Sequence, residues 1–199
     1  MFDWITGLVE DGGLWGVALL MFLENVFPPT PSEVIMPLAG YAAAQGQIDL
    51  WGAVAAGSLG SLAGTSVWYA LGRWVGTPRL KRWTARHGRW LTLTPAEVDR
   101  ASDWFERRGP WAVFLGRLVP AVRTLISVPA GMARMPPGRF LLFTGLGTAI
   151  WTALLALAGY LLGSRYEAVS DWMGPVSNVV VGAVLLWYLY RVATFGKEG

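Results

Sequence analysis

Two stretches of this chain, Leu50 to Gly72 and Phe140 to Leu162, contain no charged residue. As helices each reaches roughly 35 Å, enough to cross the hydrocarbon of a bilayer with some tilt. Lipid satisfies no backbone N–H or C=O, so such runs must be helical. The rest of the composition agrees: over 199 residues, 54% hydrophobic and 15% charged are membrane rather than soluble values. Gly57, Gly60, Gly64 and Gly72 fall near one another on the first run and predict close helix packing, while 12 tryptophans supply interfacial anchors. With no cysteine and one histidine, the chain has no disulfide, no thiol nucleophile and no His or Cys metal cluster. We expect an all-α integral membrane protein with no cofactor and no metal.

The remaining segments are interrupted. Residues 1–12 read as a short amphipathic helix lying at the interface. The apolar run from Leu14 is checked at Glu24 and followed by Pro28, Pro29 and Pro31, which predicts a broken or re-entrant hairpin rather than a crossing. Nine of the 16 Lys and Arg lie between Arg73 and Arg108, an aqueous connector in which Thr94 caps a helix running to about Arg108. His87 sits in this connector as a surface residue. A second interrupted segment, Pro110 to Met135, precedes the second uncharged run, and another apolar run extends from Met173 to Tyr190. The expectation is therefore two re-entrant hairpins plus about three full crossings in one membrane domain. Its parts are a first half at about 13–76, an amphipathic connector at 77–109, a second half at 110–163 and a C-terminal transmembrane helix at 172–191. The positive-inside rule puts the connector in the cytoplasm and the N-terminus outside, in a multi-pass protein of the cytoplasmic membrane. The connector is expected to meet anionic lipid headgroups and not nucleic acid.

Within the second interrupted segment lies Gly116-Arg117-Leu118-Val119-Pro120-Ala121-Val122-Arg123, continued by Pro129-Ala130-Gly131. A guanidinium near a bilayer centre costs roughly 2.5 to 3.5 kcal/mol even on lenient scales, so two of them ask for a function. Pro120 is suited to open a half-helix with Arg123 one turn inside it. A helix N-terminus flanked by two forked donors suits a phosphate. The other reading is that Arg117 and Arg123 cap carbonyls or snorkel to the interface. Ser32, Thr124 and Ser127 are candidate phosphate donors, or simply packing hydroxyls.

A shift of 91 residues aligns Pro29 with Pro120, Ile35 with Ile126 and Gly40 with Gly131; a shift of 87 aligns Gly60 with Gly147 and Gly72 with Gly159. Each half is then a hairpin followed by a crossing helix, and opposite entry sides make this an inverted repeat with a site near the midplane. The same alignment sets Glu24 and Glu33 of the first hairpin against Arg117 and Arg123 of the second. For Glu33 two roles stand: the end of a Thr30-Pro31-Ser32-Glu33 capping box, and a partner of Arg123. Glu24 has no evident capping role and is the first candidate for a proton-titrating group.

Glu24-Asn25 with Pro28-Pro29-Thr30-Pro31-Ser32-Glu33, Gly60 to Gly76 with Tyr69 and Arg73, and Gly116-Arg117 with Pro120, Arg123 and Pro129 to Met135 resemble the DedA family, whose domain is shared with eukaryotic lipid scramblases. Thr65 departs from the pattern, standing where many relatives carry an aspartate. The resemblance implies facing re-entrant hairpins and a proton-motive-force-linked transporter, not an enzyme, that moves a phosphate-bearing lipid such as undecaprenyl phosphate. It places the embedded acids at Glu24 and Glu33 and the essential arginines at Arg117 and Arg123. Alternatives are phospholipid scrambling, proton-coupled export of small cations, and lipid phosphatase chemistry, against which the hairpins hold no histidine, cysteine or evident serine–base pair. Self-association is left open.

Overall fold

The computed structural model describes residues 3–27, 32–91, 95–119, 123 and 125–162. Pro28, Pro29, Pro31, Pro120, Thr124 and the predicted helix at 172–191 lie outside the described residues, as do the capping Thr30 and the side chain of Ser32. Among the described residues there are six helices and no strand: α1 (Asp3–Val26), α2 (Ser32–Ala44), α3 (Leu50–Leu91), α4 (Pro95–Arg117), α5 (Ser127–Met132) and α6 (Pro137–Leu162).

Local chemistry sets the ends and bends. Gly13 (φ 52°, ψ −134°) divides α1 into an amphipathic start and an apolar arm. Asp49 caps α3, its carboxylate accepting from the Gly52 N–H at 2.5 Å. Gly76, at φ 65°, bends α3 just before Pro78, where the uncharged run gives way to the basic connector. Both α2 and α5 end in the paired-bond motif that reverses a helix: Gln47 N–H to Ala42 C=O with Gly46 N–H to Ala43 C=O, and Met135 N–H to Ala130 C=O with Arg134 N–H to Gly131 C=O. The left-handed position falls on Gly46 in the first and on Arg134, at φ 53°, in the second.

Three expectations are corrected. The first arm does not stop at Glu24; α1 carries through it and Asn25 to Val26. The connector helix does not end near Arg108 but runs as α4 through Pro110 to Arg117. The carbonyl that Pro110 leaves without a helix partner belongs to Glu106, an exposed residue where water can take over. Finally, α6 is the one helix among the described residues that is both long and apolar enough to cross a membrane. Leu50–Gly72 is uncharged, but glycine and serine dilute it, and it forms the first half of a 42-residue helix.

Large apolar side chains face outward as well as inward. Trp15 is 86% exposed and Leu161 78%, while inside, beside two apolar clusters, Glu24, Asn25, Arg117, Arg123 and a series of Ser and Thr are buried. An apolar exterior around an interior that holds charged groups suits a lipid solvent.

In the interior α1 packs on α3 and α4 on α6, and the halves then exchange partners: α2 packs on α6 and α5 on α3. The seats are reciprocal. A Cβ on Gly40 would lie 1.9 Å from the Ala156 carbonyl oxygen, and one on Gly131 2.1 Å from that of Tyr69. Likewise a Cβ on Gly159 would lie 1.9 Å from the Pro37 carbonyl oxygen, and one on Gly72 2.2 Å from that of Val128. Positions 40 and 131, 37 and 128 differ by 91; 69 and 156, 72 and 159 by 87. The shifts found in the sequence are thus the shifts at which equivalent backbone contacts recur.

Candidate functional site

Four charged residues far apart in sequence meet where the exchanged helices cross. Glu24 is presented by the last turn of α1, Glu33 by the first turn of α2, Arg117 by the last turn of α4, and Arg123 by the turn ahead of α5, where its N–H bonds the Val119 carbonyl at 3.0 Å. Arg123 is therefore not one turn inside a half-helix as the sequence suggested; the regular part of that arm is only the six residues from Ser127.

The two arginines are held differently. Arg123 is ion-paired to Glu24 through Nη2 and lies 3.7 Å from Glu33 Oε1, with its own side chain 9% exposed against 4% for Glu24 and 27% for Glu33. Glu33 is thus the looser and more open partner. Arg117 meets no carboxylate in a salt bridge among the described residues. Its Nε and Nη2 donate to Thr148 Oγ1 at 3.0 and 2.8 Å, Nη2 also to Ser61 Oγ at 2.9 Å, and Nη1 to the Arg123 carbonyl at 2.7 Å. Each bond from a charged donor is worth roughly 1.5 to 3 kcal/mol, so this set fixes the bend that carries Arg123. Gly147 on α6 makes room: a Cβ there would be 2.8 Å from the Arg117 Cβ. Gly116 does the same for Ile126.

Asn25 ties the end of α1 to α3. Its Nδ2 donates to Glu24 Oε2 (2.6 Å), Ser61 Oγ (3.0 Å) and the Met21 carbonyl (2.9 Å), and its main-chain carbonyl accepts from Trp68 Nε1 at 2.7 Å. Gly64 admits it, since a Cβ there would meet the Asn25 Cβ at 2.7 Å. Among the described residues, four buried polar atoms have no hydrogen-bond partner: Asn25 Oδ1, Ser127 Oγ, Thr144 Oγ1 and Trp151 Nε1. Thr65 is fully buried and spends its hydroxyl on the carbonyls of Ser61 and Leu62; Thr152, 87 residues on, does the same with Thr148 and Ala149.

The structure thus brings together Glu24, Glu33, Arg117 and Arg123, and buries Ser127 without a partner at the start of α5. Pro129, Gly40, Gly116 and Gly131 are placed in the packing of the second arms and α4. Sequence reading missed Ser61, Thr148 and the bonds by which Asn25 ties α1 to α3. The signal was present, because Ser61 and Thr148 are also related by the 87-residue shift and are the two hydroxyls that Arg117 grips. Tyr69 is stacked on Phe140 with centroids 4.2 Å apart and bonded through its hydroxyl to the Met135 carbonyl, which Arg73 also reaches.

A helical membrane protein whose polar interior is built from the acids of one half and the bases of the other is the class that this fold and site define. The VTT-domain profile matches residues 27–161, and the chain belongs to that family, the DedA family. It is 36% identical to an alkaline phosphatase-like protein of Lactococcus lactis subsp. cremoris, over all of this chain and 93% of the relative. It is 31% identical to the undecaprenyl phosphate transporter A of Staphylococcus aureus (98% of this chain, 96% of the relative) and 31% to that of Bacillus subtilis (98% and 94%). No solved structure matches the chain.

Proposed function

We propose that this protein carries a phosphate-headed lipid, undecaprenyl phosphate by likeness to the named transporters, across the cytoplasmic membrane, with binding coupled to proton uptake. The observation that carries the reading is the unequal tether of Arg123: one buried carboxylate and one half-open carboxylate hold a guanidinium whose backbone is fixed by Arg117. An arriving phosphate can replace the carboxylates at Arg123 with bidentate bonds. A displaced Glu24 in a dry site is then stabilised by taking up a proton. Arg123 is the phosphate-gripping residue in this scheme, Glu24 the coupling acid, Ser127 an added donor, and Arg117 a positioning residue.

The reciprocal glycine seats support an inverted repeat with the hairpins entering from opposite sides, and with it multi-pass insertion. In this cysteine-free chain, Gln47→Cys and Asp103→Cys should react with an impermeant thiol reagent from opposite faces of the membrane. Labelling of both from one face sinks the arrangement.

The phosphatase-like name of the Lactococcus relative is the observation behind a second reading, hydrolysis of the lipid phosphate. Proteoliposomes loaded with labelled polyprenyl phosphate separate the two: the transport reading expects label to change leaflet faster under an imposed proton gradient with no release of inorganic phosphate. Phosphate release at the rate of label loss overturns it.

A further inference from the structure

A groove of about 610 Å³ runs along one face of α4 outside the buried cluster. Trp104, Arg107 and Arg108 line one end, and Trp111, Leu115, Val119 and Ile126 line the rest. Trp111 and Leu115 are exposed on successive turns of α4, and Val119, just past its end, is exposed as well. Trp111 is braced edge-on by Phe114 and Phe143, with centroids 6.1 and 5.8 Å away, so this wall is fixed. The acids nearest in sequence, Asp103 and Glu106, do not line the groove. At 100° per residue Glu106 projects about 140° from Trp111, while Asp103, one turn before Arg107, forms no salt bridge with it among the described residues. Arg107 bonds only the Asp103 main-chain carbonyl, through Nε at 3.2 Å, and neither arginine forms a salt bridge among the described residues.

Dimensions identify the occupant. From Arg108 to the end of α4 at Arg117 the helix rises about 14 Å, close to half of a roughly 30 Å hydrocarbon core. A cationic pair at one end of an apolar trough one leaflet long matches a lipid with an anionic head and an extended chain. The far end also matters: Ile126 packs on Gly116, next to Arg117, and leads into the turn that bears Arg123. A chain lying here ends beside the charged cluster.

We propose that the α4 groove is a loading site for a phosphate-headed lipid, with the head on Arg107 and Arg108 and the chain along Trp111, Leu115 and Val119. The assignment as a loading step rests on the transport reading above; binding in the groove does not.

The test uses the full chain in phosphatidylcholine nanodiscs and a farnesyl phosphate probe with a diazirine at the tail end, mapped by mass spectrometry. Adducts are expected on 111–119, competed by dodecyl phosphate and not by inorganic phosphate. The Arg107→Gln/Arg108→Gln double variant should lower their yield about tenfold or more, the size expected for removing two interfacial cations from an anionic head. Leu115→Trp, which fills the trough and keeps both charges, should lower it as well. Arg123→Gln should leave groove labelling unchanged. Adducts spread evenly over the outer faces of α6, equal competition by inorganic phosphate, or an unchanged yield in the double variant each overturns the groove. If Arg123→Gln transports normally while groove labelling stands, the transport reading falls and the groove does not.

Discussion

Arg123 and Glu24 form a buried ion pair across 99 residues of sequence, and the pair joins the end of one half's first arm to the bend of the other's. It is the point at which a charge brought by the bend between α4 and α5 is neutralised by α1. Its two ends therefore answer differently to substitution.

Arg123→Lys keeps the charge beside Glu24 but loses the fork. The fold should survive, with a melting temperature near that of the parent, while binding of the phosphate lipid weakens by about 2 kcal/mol or more. Full transport by this variant counts against a bidentate grip.

Thr148→Val removes the acceptor of two Arg117 donors without touching a charge. A buried guanidinium left short of partners should cost about 2 to 3 kcal/mol, read as a lower thermal midpoint in detergent. Lipid binding should fall with it, because the bend bearing Arg123 loses its fixture. Ser61→Ala should follow the same direction with a smaller loss. A Thr148→Val protein as stable as the parent would show that Arg117 is held by other means.

Glu24→Gln mimics the protonated acid. It should still bind the lipid, and transport in proteoliposomes should lose its dependence on an imposed proton gradient. Glu33→Gln, at the looser and more exposed partner, should keep that dependence. Full gradient dependence in Glu24→Gln reduces Glu24 to a structural counter-ion.

Gly40→Ala and Gly131→Ala each drive a methyl into a carbonyl on the opposite half. Overpacking of this kind costs about 1 to 3 kcal/mol or more, so both should lower the yield of folded protein to a similar extent. Gly138→Ala, with nothing within 4 Å, is the control expected to match the parent.

Arg134 holds a left-handed backbone that glycine adopts freely. Arg134→Gly should raise stability by roughly 1 kcal/mol through relief of that strain. A lower melting temperature would show that the arginine side chain contributes more than the backbone costs.

The site was legible in the sequence because its charges are anomalous: Glu24, Glu33, Arg117 and Arg123 stand out from apolar surroundings, and each is found in the cluster. The division of labour between the arginines was not legible. Both sit in the same motif, and what separates them is a pair of hydroxyls, Ser61 and Thr148, on helices distant in sequence. Glycine spacing was informative at Gly40, Gly72, Gly131 and Gly159, since a backbone contact this close to a would-be Cβ tolerates no other residue. The same residues misled at Pro110, read as a boundary although its missing hydrogen bond falls beside an exposed carbonyl, where a helix loses little by continuing. The break at Glu24 was misplaced for a related reason: a charge stops an apolar run but not a helix when an arginine waits opposite.

The exchange of second arms has a consequence for biogenesis. Seated on α6, α2 is completed well over a hundred residues before its seat is, and at 5 to 20 residues per second the ribosome needs roughly ten seconds to close that interval. Through much of that time Glu33 is without the arginine that lies beside it in the fold, and α2 is without the helix it packs on. The early half is thus a client of whatever shields polar groups during insertion, and its maturation is timed by the synthesis of the late half.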